Sequence, residues 1–537
     1  MKKITFMPFA LILAILMIGC KKQEPRQISV DVLKDKIAGG WAGKMIGVSF
    51  GAKSEFRFKG EIKEDSIEIS KINNSIGQDD IYVQLTFMET MDKYGVDAPL
   101  KQFQADLANA GFMLWHANLQ ARKNYIDSIL PPESGMPENN IHADDIDFQI
   151  ESDYIGFMNP GMPQNSNKIA SRIGQIMNYG DGIYGGMFIA ALYAEAFFDS
   201  DIEKVIDHAL LSIPAESEYA KIVGDVVKLH KHNPNDWRAT WHEIQNKWGE
   251  TDMCGAGDKF NIDAKLNGAY VIIGLLYGDG DAEKTMEITT RCGQDADCNP
   301  SNAMAIIGII KGFSNLPEKM QTGVLSIADS TFEHTHYTFN KAVSKTMQYA
   351  IENIKNNGGN LNDSTLTVAI QQSVAPALTQ SFPNVVLSKT VSIFDSIAWS
   401  KKGIWKDFII HYWWVAKPFK QALYSDKKGD EITIDFEGTG VSLQGNWQRD
   451  GGKADVFIDN KFIKTINTWY LWNGFQQEAN MSLFHKLNLP EGKHTLRLVV
   501  KGEKYEKSEG NGIYITELRV FKTSPKKSET YKFSFEK

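Results

Sequence analysis

The hydrophobic pattern divides the chain into a helical part and a strand-rich part. Over residues 28–355 apolar positions recur with helical spacing, as in Tyr82–Tyr94, where Leu85, Met88 and Met91 fall on one face. Two further segments are apolar nearly all round and rich in Gly and Ala, which is typical of central helices packed closely against their neighbours. They span residues 183–198 and 266–277. This part is predicted to be an all-α domain.

An Asn/Gly-rich stretch at residues 353–364 ends the helical pattern, and residues 356–387 are predicted to form a linker. From residue 388 to residue 525, short alternating segments rich in β-branched residues are separated by Gly, Asp and Asn turns. This pattern predicts a β-sandwich. The clearest strands are residues 431–437, 454–458, 494–500 and 512–521.

Residues 1–20 have the features of a secretory signal rather than of a folded element. Two lysines precede an apolar run that ends at Ile18, and Gly19 and Cys20 follow. A small residue before a cysteine resembles a bacterial lipoprotein signal, in which Cys20 would be lipidated after cleavage. A plain signal peptide or an uncleaved anchor stays open. We therefore expect a protein of the cell envelope that is held to the membrane only by an N-terminal lipid.

Charge and cysteine content limit the classes of partner and of cross-link. The 537 residues carry a net charge of −8 without a long basic run, so a nucleic-acid partner is not expected. Beyond the signal region the cysteines are Cys254, Cys292 and Cys298. Their odd number argues against a disulfide framework, and the last two are too far apart for a zinc clip. Buried free thiols are favoured, and a Cys292–Cys298 bridge stays open.

Three segments of the helical part combine glycines with acids. The first is a helix with a glycine at every fourth position from Gly39 to Gly51, followed by Glu55. The other two stand at predicted helix starts and carry the acid pairs Asp79-Asp80 and Asp295-x-Asp297. Acids in a first turn also complement the helix dipole. Four unpaired carboxylates brought together would repel one another, however, so a hard cation such as Mg²⁺ or Mn²⁺ is the expected neutraliser.

In order and spacing these segments resemble the motifs of the ADP-ribosylglycohydrolase family over about residues 30–330. The glycine-rich opening helix of that family and its following glutamate are similar to residues 47–51 and Glu55. The T-D-D-T block is similar to residues 78–81, and the late G-x-D-T-D-T block to residues 293–298. The resemblance implies an all-α orthogonal bundle with a dinuclear magnesium centre in a central cleft.

The same resemblance implies roles for single residues. Asp79, Asp80, Asp295 and Asp297 would be metal ligands, and Glu55 would be the acid/base near the leaving group. The metal would bind a sugar diol and an activated water. The implied activity is hydrolysis of a glycosidic bond to a ribose-like or other cis-diol sugar.

Several positions depart from the family pattern. Val48 replaces an aspartate, Gln78 and Ile81 replace threonines, and Cys298 stands where a hydroxyl ligand is common. An amide oxygen of Gln78 can take the place of a hydroxyl, whereas a thiol is a poor magnesium ligand. Gln78 and Cys298 are kept as substrate-binding candidates, and the number of metals, one or two, stays open.

A second acidic patch offers further candidates for contact with substrate or metal. Residues 141–153 include Asp144 and Asp145 beside His142, although an acidic first turn with a solvated helix face explains the same pattern. Asp181 precedes the apolar helix that begins near residue 183. It is predicted either to contact substrate or to cap that helix.

The strand-rich C-terminal part resembles the galactose-binding-like jelly rolls that are attached to many exported glycan-degrading enzymes. Trp447, Trp469 and Trp472 lie near its turns and are placed either to stack on sugar rings or to fill the core. Three functions follow from the whole pattern. The first is an exported, metal-dependent glycoside hydrolase acting on a glycan or glycoconjugate. The others are a non-catalytic glycan-binding surface lipoprotein with a degenerate hydrolase domain, and a structural partner in a sugar-uptake system.

Overall fold

A computed structural model describes residues 25–250, 252–253, 255, 257–411, 419–473 and 477–524. The predicted signal with its lipidation site Cys20, and Cys254, lie outside the described residues. Within these ranges, no helix has both the length and the apolar character that a membrane crossing requires.

The first part of the chain is helical, as the sequence predicts. Its α-helices are α1 (Val30–Gly51), α2 (Asp79–Tyr94), α3 (Leu100–Asn109), α4 (His116–Ile126), α5 (Asp147–Ile150), α6 (Asp153–Phe157), α7 (Pro163–Ile173), α8 (Asp181–Ala196), α9 (Ile202–Leu210), α10 (Glu218–His232), α11 (Trp237–Trp248), α12 (Ala264–Gly278), α13 (Ala282–Arg291), α14 (Cys298–Lys311), α15 (Glu318–Leu325) and α16 (Phe339–Asn356). Every residue of α8 and α12 is buried, in agreement with their all-round apolar sequences.

The glycine stripe of α1 serves close antiparallel packing against α14. A Cβ atom at Gly47 would lie 2.3 Å from the carbonyl oxygen of Pro300, and one at Gly51 would lie 1.9 Å from that of Ala296. Neither distance is possible for a side chain, so only glycine permits the two helices to approach this closely. The packing places the end of α1 beside the segment that leads into α14.

The second part of the chain is built from strands. These are β4 (Val385–Ser392), β5 (Trp399–Lys402), β6 (Lys406–His411), β7 (Phe419–Ser425), β8 (Glu431–Gly438), β9 (Gly440–Gln448), β10 (Gly452–Ile458), β11 (Lys461–Asn467), β12 (Gln477–Lys486), β13 (Gly492–Lys504) and β14 (Ile513–Thr523). The four strands that the alternation predicts most clearly, β8, β10, β13 and β14, are all present.

The strands form two antiparallel sheets. One has the order β11-β10-β13-β8-β5, and the other has the order β12-β9-β14-β7-β6, with β4 also paired to β14. Alternate residues of β8 and β13 are buried, as expected for strands with one face on the core. Most buried apolar side chains of both sheets belong to one core, which also includes side chains of the helical domain. The fold is therefore an all-α domain followed by an all-β sandwich, as predicted.

The segment predicted as a linker contains regular structure. Strands β2 (Asn360–Asn362) and β3 (Thr365–Val368) form a hairpin, and β3 pairs with β1 (Arg26–Ser29). Leu366 and Val368 are fully buried on the helical domain. Part of the Asn- and Gly-rich stretch forms this hairpin, and Asp363 at its tip has a positive φ of 51°, a conformation that aspartate tolerates in turns.

Candidate active site

A cleft of about 960 Å³ lies between the helical domain and the sandwich. The helical wall includes Glu55, Gln78, Asp79, His116, His142, Asp295 and Cys298. The opposite wall is supplied by β9, β12 and β14 and includes Gln444, Trp447, Glu478, Met481 and Arg519. The sandwich therefore takes part in shaping the cleft.

Direct contacts hold the two domains together beside the cleft. The guanidinium of Arg122 on α4 lies 4.0 Å from the centre of the Trp472 ring. His485 Nε2 is 2.6 Å from the Pro137 carbonyl oxygen, and Asn467 donates a hydrogen bond of 2.7 Å to Asp127. Because three separate segments of the sandwich are tied to the helical domain, the cleft has two fixed walls.

The close packing of α1 on α14 brings the acids together. Asp79 and Asp80 occupy the first turn of α2, and Asp297 immediately precedes α14. The turn before Asp295 packs directly on the backbone of the segment after α1. Gly293 in this turn has a φ of 81°, and a Cβ atom there would lie 2.3 Å from the Phe58 carbonyl oxygen. Two backbone hydrogen bonds join this turn to the segment after α1, Phe56 N to Gln294 O and Gln294 N to Phe58 O. They place Glu55 next to the acid pair.

The distances between donor atoms fit metal coordination. One ligand atom each of Glu55, Asp295 and Asp297 lie within 4.8 Å of one another, and the same is true of Asp80, Asp297 and Cys298. Among the described residues, the Oδ1 atoms of Asp295 and Asp297 are buried without a hydrogen-bond partner. Buried carboxylate oxygens are rarely left unsatisfied, so they point to a ligand that the protein itself does not provide.

The electrostatics of these carboxylates lead to the same conclusion. Burial and the neighbouring Asp80 raise the pKa of Asp79 to about 7. Burial and the adjacent carboxylates also raise the pKa values of Asp295 and Asp297 well above their usual range. The pKa of Glu55 is raised to about 10, mainly by the nearby Asp297 carboxylate and secondly by desolvation. These groups are ionised together only with a compensating cation, and an all-oxygen set of this kind suits Mg²⁺ or Mn²⁺.

A buried lysine corrects the expectation of four unpaired carboxylates. Lys44 of α1 is fully buried, with its Nζ 2.8 Å from Asp153 Oδ2 and 3.4 Å from Asp80 Oδ1. It also donates a hydrogen bond of 2.7 Å to the Ile150 carbonyl oxygen. Sequence reasoning placed Asp153 in the acidic patch of residues 141–153 but missed Lys44. As the one lysine of the glycine-rich stretch 39–51, Lys44 is a visible signal that a buried anion faces it.

The predicted substrate-binding residues fall into two groups. Gln78 and Cys298 line the cleft, and the Cys298 Sγ lies 3.1 Å from Asp80 Oδ2. Asp144 and Asp181 are not among the described residues that line it. Asp144 instead accepts a hydrogen bond of 2.9 Å from Lys265, because burial requires a cationic partner for it. Asp181 accepts one of 3.0 Å from the backbone N–H of Tyr219.

Asp145 lies behind the cleft wall and faces two histidines. Its Oδ2 atom is 2.8 Å from His142 Nδ1 and 3.5 Å from His116 Nδ1. Both histidines line the cleft. Sequence reasoning singled out His142 and Asp145 but not His116, which is distant from them in sequence and becomes their neighbour only through the fold.

The sequence leaves open whether the cysteines are bridged and whether the tryptophans fill the core, and the structure bears on both questions. Cys292 and Cys298 are buried free thiols within the described structure. Trp447 and Trp469 are only 3% and 5% exposed, so most of each ring packs inside the protein. Trp447 nevertheless contributes to the lining of the cleft.

The fold and the site together define an all-α domain with a buried carboxylate centre, joined to a β-sandwich that shares its cleft. A sequence profile described as ADP-ribosylglycohydrolase matches residues 29–345. The chain therefore belongs to the ADP-ribosylglycohydrolase family, as its motifs predict.

Similarity to individual proteins is more limited. A segment of 78 residues is 33% identical to the A type blood alpha-D-galactosamine galactosaminidase of Flavonifractor plautii, and it covers 14% of this chain and 7% of that protein. An ADP-ribosylglycohydrolase-related protein complex aligns with 60% of this chain and 98% of its own at 14% identity and a TM-score of 0.38. The CBM36-1 domain of a xylanase from the hindgut metagenome of Trinervitermes trinervoides aligns with 26% of this chain and 98% of its own, at 15% identity and a TM-score of 0.18.

Proposed function

We propose that this protein is an exported, metal-dependent glycoside hydrolase that cleaves the bond to a ribose-like or other cis-diol sugar in a glycan or glycoconjugate. The observation that carries the proposal is the pair of buried, unpartnered carboxylate oxygens on Asp295 and Asp297, which the described residues leave unsatisfied at the side of a large cleft. Membership of the ADP-ribosylglycohydrolase family supports hydrolysis as the reaction.

The carboxylate centre fits a divalent cation. Asp79, Asp80, Asp295 and Asp297 would hold it, and the bound cation would supply Lewis acidity toward a sugar hydroxyl pair and a water molecule. Lys44 holds Asp80 in place from the buried side and offsets part of its charge. Cys298 contacts Asp80 through its thiol, a poor ligand for Mg²⁺, and so orients that carboxylate.

Glu55 is placed to exchange a proton with a group in the cleft. It follows α1 in a turn that is fixed to residue 294 by backbone hydrogen bonds, and its carboxylate faces the cleft. Next to it the Phe56 and Phe260 rings pack edge to face, with centroids 5.2 Å apart. This pair places an apolar surface beside the carboxylate in the cleft.

The sandwich wall supports a carbohydrate substrate. Gln444 and Arg519 offer amide and guanidinium groups that bind sugar hydroxyls, and Met481 offers an apolar surface. Burial raises the pKa of Glu478 to about 7, with Arg122 acting in the opposite direction. A polar wall with aromatic and apolar patches is suited to a hydroxyl-rich ligand. The galactosaminidase similarity is consistent with a glycan rather than a nucleotide as the substrate.

Export and membrane attachment are proposed from the N-terminal sequence alone. The basic start, the apolar run and the Gly19-Cys20 pair support a lipoprotein of the cell envelope. A glycan or glycoconjugate is the substrate class that such a location makes accessible.

Hydrolysis assays test the proposal. The chain without its first twenty residues would be offered ADP-ribosyl conjugates and a panel of furanosides and pyranosides, with Mg²⁺, with Mn²⁺ and with a chelator. We expect sugar release that the chelator abolishes and that Asp295→Asn lowers at least about a hundredfold. Asp281→Asn, an exposed cap of α13, is the matched control and should keep full activity.

A second function is a glycan-binding lipoprotein with a degenerate hydrolase domain. The thiol of Cys298, in contact with Asp80 where a hydroxyl ligand is expected, favours this alternative. Sugar release that neither the chelator nor Asp295→Asn affects would refute the metal site. Absence of release together with a metal-free protein would favour the binding function.

A further inference from the structure

A cluster of two imidazoles and one carboxylate lies on the helical wall of the cleft and shares no residue with the aspartate centre. His116 is the first residue of α4, and His142 and Asp145 lie in the turns before α5. One ligand atom from each of the three residues lies within 4.8 Å of the other two. Both imidazoles line the cleft, while Asp145 is fully buried behind them.

The separations suit a tetrahedral cation. The Oδ2 atom of Asp145 is 2.8 Å from His142 Nδ1 and 3.5 Å from His116 Nδ1. Zinc bonds of about 2.0–2.1 Å in tetrahedral geometry place two ligand atoms about 3.3 Å apart. The two distances to Asp145 lie on either side of that value, and the ligand atoms of the two histidines are within 4.8 Å of each other.

A second observation points to a ligand. Asp145 has no exposed surface, and in the described structure its Oδ1 atom lacks a hydrogen-bond partner. Because the two imidazoles contact only Oδ2, the buried Oδ1 atom is left for a partner that the described residues do not provide. A cation bound between the three side chains would offset that buried charge.

The surrounding residues hold the cluster in position. The Asp147 carboxylate accepts hydrogen bonds of 3.2 and 3.0 Å from the N–H groups of Ala117 and Asn118, which fixes the start of α4. His116 has a positive φ of 45°, a conformation that costs free energy in a residue with a side chain. Its ring stacks on Phe260, with centroids 5.7 Å apart. These contacts fix the position of the His116 backbone and ring.

We propose that His116, His142 and Asp145 bind a zinc-class divalent cation, distinct from the cation of the aspartate centre. Two imidazoles and a carboxylate favour borderline metals such as Zn²⁺ or Co²⁺, whereas an all-carboxylate set favours Mg²⁺ or Mn²⁺. Three protein ligands leave one position open, as in catalytic rather than structural zinc sites. Because both imidazoles line the cleft, water or an anionic group of a ligand would complete the coordination from there. The proposal does not depend on hydrolase activity.

Metal titration tests the site. The untagged chain without its first twenty residues would be stripped with a chelator, dialysed, and titrated with Zn²⁺ in excess Mg²⁺ by calorimetry and with Co²⁺ by visible absorption. We expect wild-type protein to bind one equivalent of Zn²⁺ and to give the intense absorption of tetrahedral Co²⁺. Both signals should be lost in His142→Ala and retained in Asp295→Asn.

Two controls keep the outcome unambiguous. His232→Ala removes an exposed histidine of α10 and should leave both signals unchanged. His116→Ala and His142→Ala change different segments, and circular dichroism identifies any variant that fails to fold. Equal zinc uptake by wild type and folded His142→Ala, or no uptake by wild type, would overturn the proposal and leave the cluster as a hydrogen-bond network that fixes α4.

Discussion

In the helical domain, Lys44, Asp80 and Asp153 lie in the core without exposed surface, whereas strands such as β8 and β13 of the sandwich alternate apolar residues inside with polar residues outside. Burying a charge costs several kcal/mol before any partner is counted. Of the buried ionisable groups in the sandwich, Glu478 lines the cleft and His485 contacts the helical domain. The helical domain therefore supplies the buried charge of the proposed centre, and the sandwich contributes mainly shape and a wall.

The largest expected effect is that of removing the buried lysine. Lys44→Met leaves Asp80 and Asp153 without their cation in the core, so it should lower the free energy of unfolding by about 3–5 kcal/mol. Denaturant unfolding followed by circular dichroism measures the change.

A matched control lies on the same helix. Lys34 of α1 is exposed, and Lys34→Met should change stability by no more than about 0.5 kcal/mol. Equal stability of the two variants would show that Lys44 does not compensate the buried acids, and it would remove the contrast between the domains.

A smaller effect is expected at the contact between the domains. Trp472→Ala removes the ring beneath the Arg122 guanidinium, which should weaken docking by about 1–2 kcal/mol. Calorimetry should then resolve separate transitions for the helical domain and the sandwich. Phe462→Ala, which truncates a half-exposed ring of β11, should leave the wild-type profile, and an unchanged profile for Trp472→Ala would contradict a fixed two-walled cleft.

The smallest effect is a pH dependence within the sandwich. His494 Nδ1 lies 2.8 Å from Asp459 Oδ2, and this hydrogen bond together with one to the Pro490 carbonyl oxygen raises the pKa of His494. The stabilisation is complete below the ordinary histidine pKa of about 6.5 and is lost as pH rises through the raised value.

Comparison of wild type with His494→Asn tests this sign. The variant should be less stable than wild type by up to about 1 kcal/mol at about pH 5.5, with a smaller difference at about pH 8.5. A difference that grows with pH would contradict the assignment of the charged imidazole.

Much of the helical domain could be predicted because its sequence signals are local. The glycine spacing from Gly39 to Gly51 is enough by itself to indicate close helix packing, and the contact of Gly47 with Pro300 confirms it. The acids at the starts of α2 and α14 are likewise visible in sequence. Their meeting in space follows from the packing of α1 on α14.

The remaining features depend on contacts between distant segments. His116 approaches Asp145, and Glu478 and Arg519 lie opposite the carboxylates, only because the chain is folded. Neither arrangement produces a periodic pattern in the sequence that would predict it. The β2–β3 hairpin escapes sequence reasoning because its Asn and Gly residues are equally frequent in flexible linkers. Pairing with β1, far away in sequence, decides its structure.

The most direct test of the account is Mn²⁺ binding measured by electron paramagnetic resonance. It would be measured in wild type and in the His142→Ala background, in which only the aspartate centre remains to bind the metal. The account predicts that Asp297→Asn lowers Mn²⁺ affinity at least about tenfold, or about 1.4 kcal/mol, while the exposed control Asp281→Asn has no effect. Wild-type Mn²⁺ affinity in folded Asp297→Asn would contradict a metal centre built from these carboxylates.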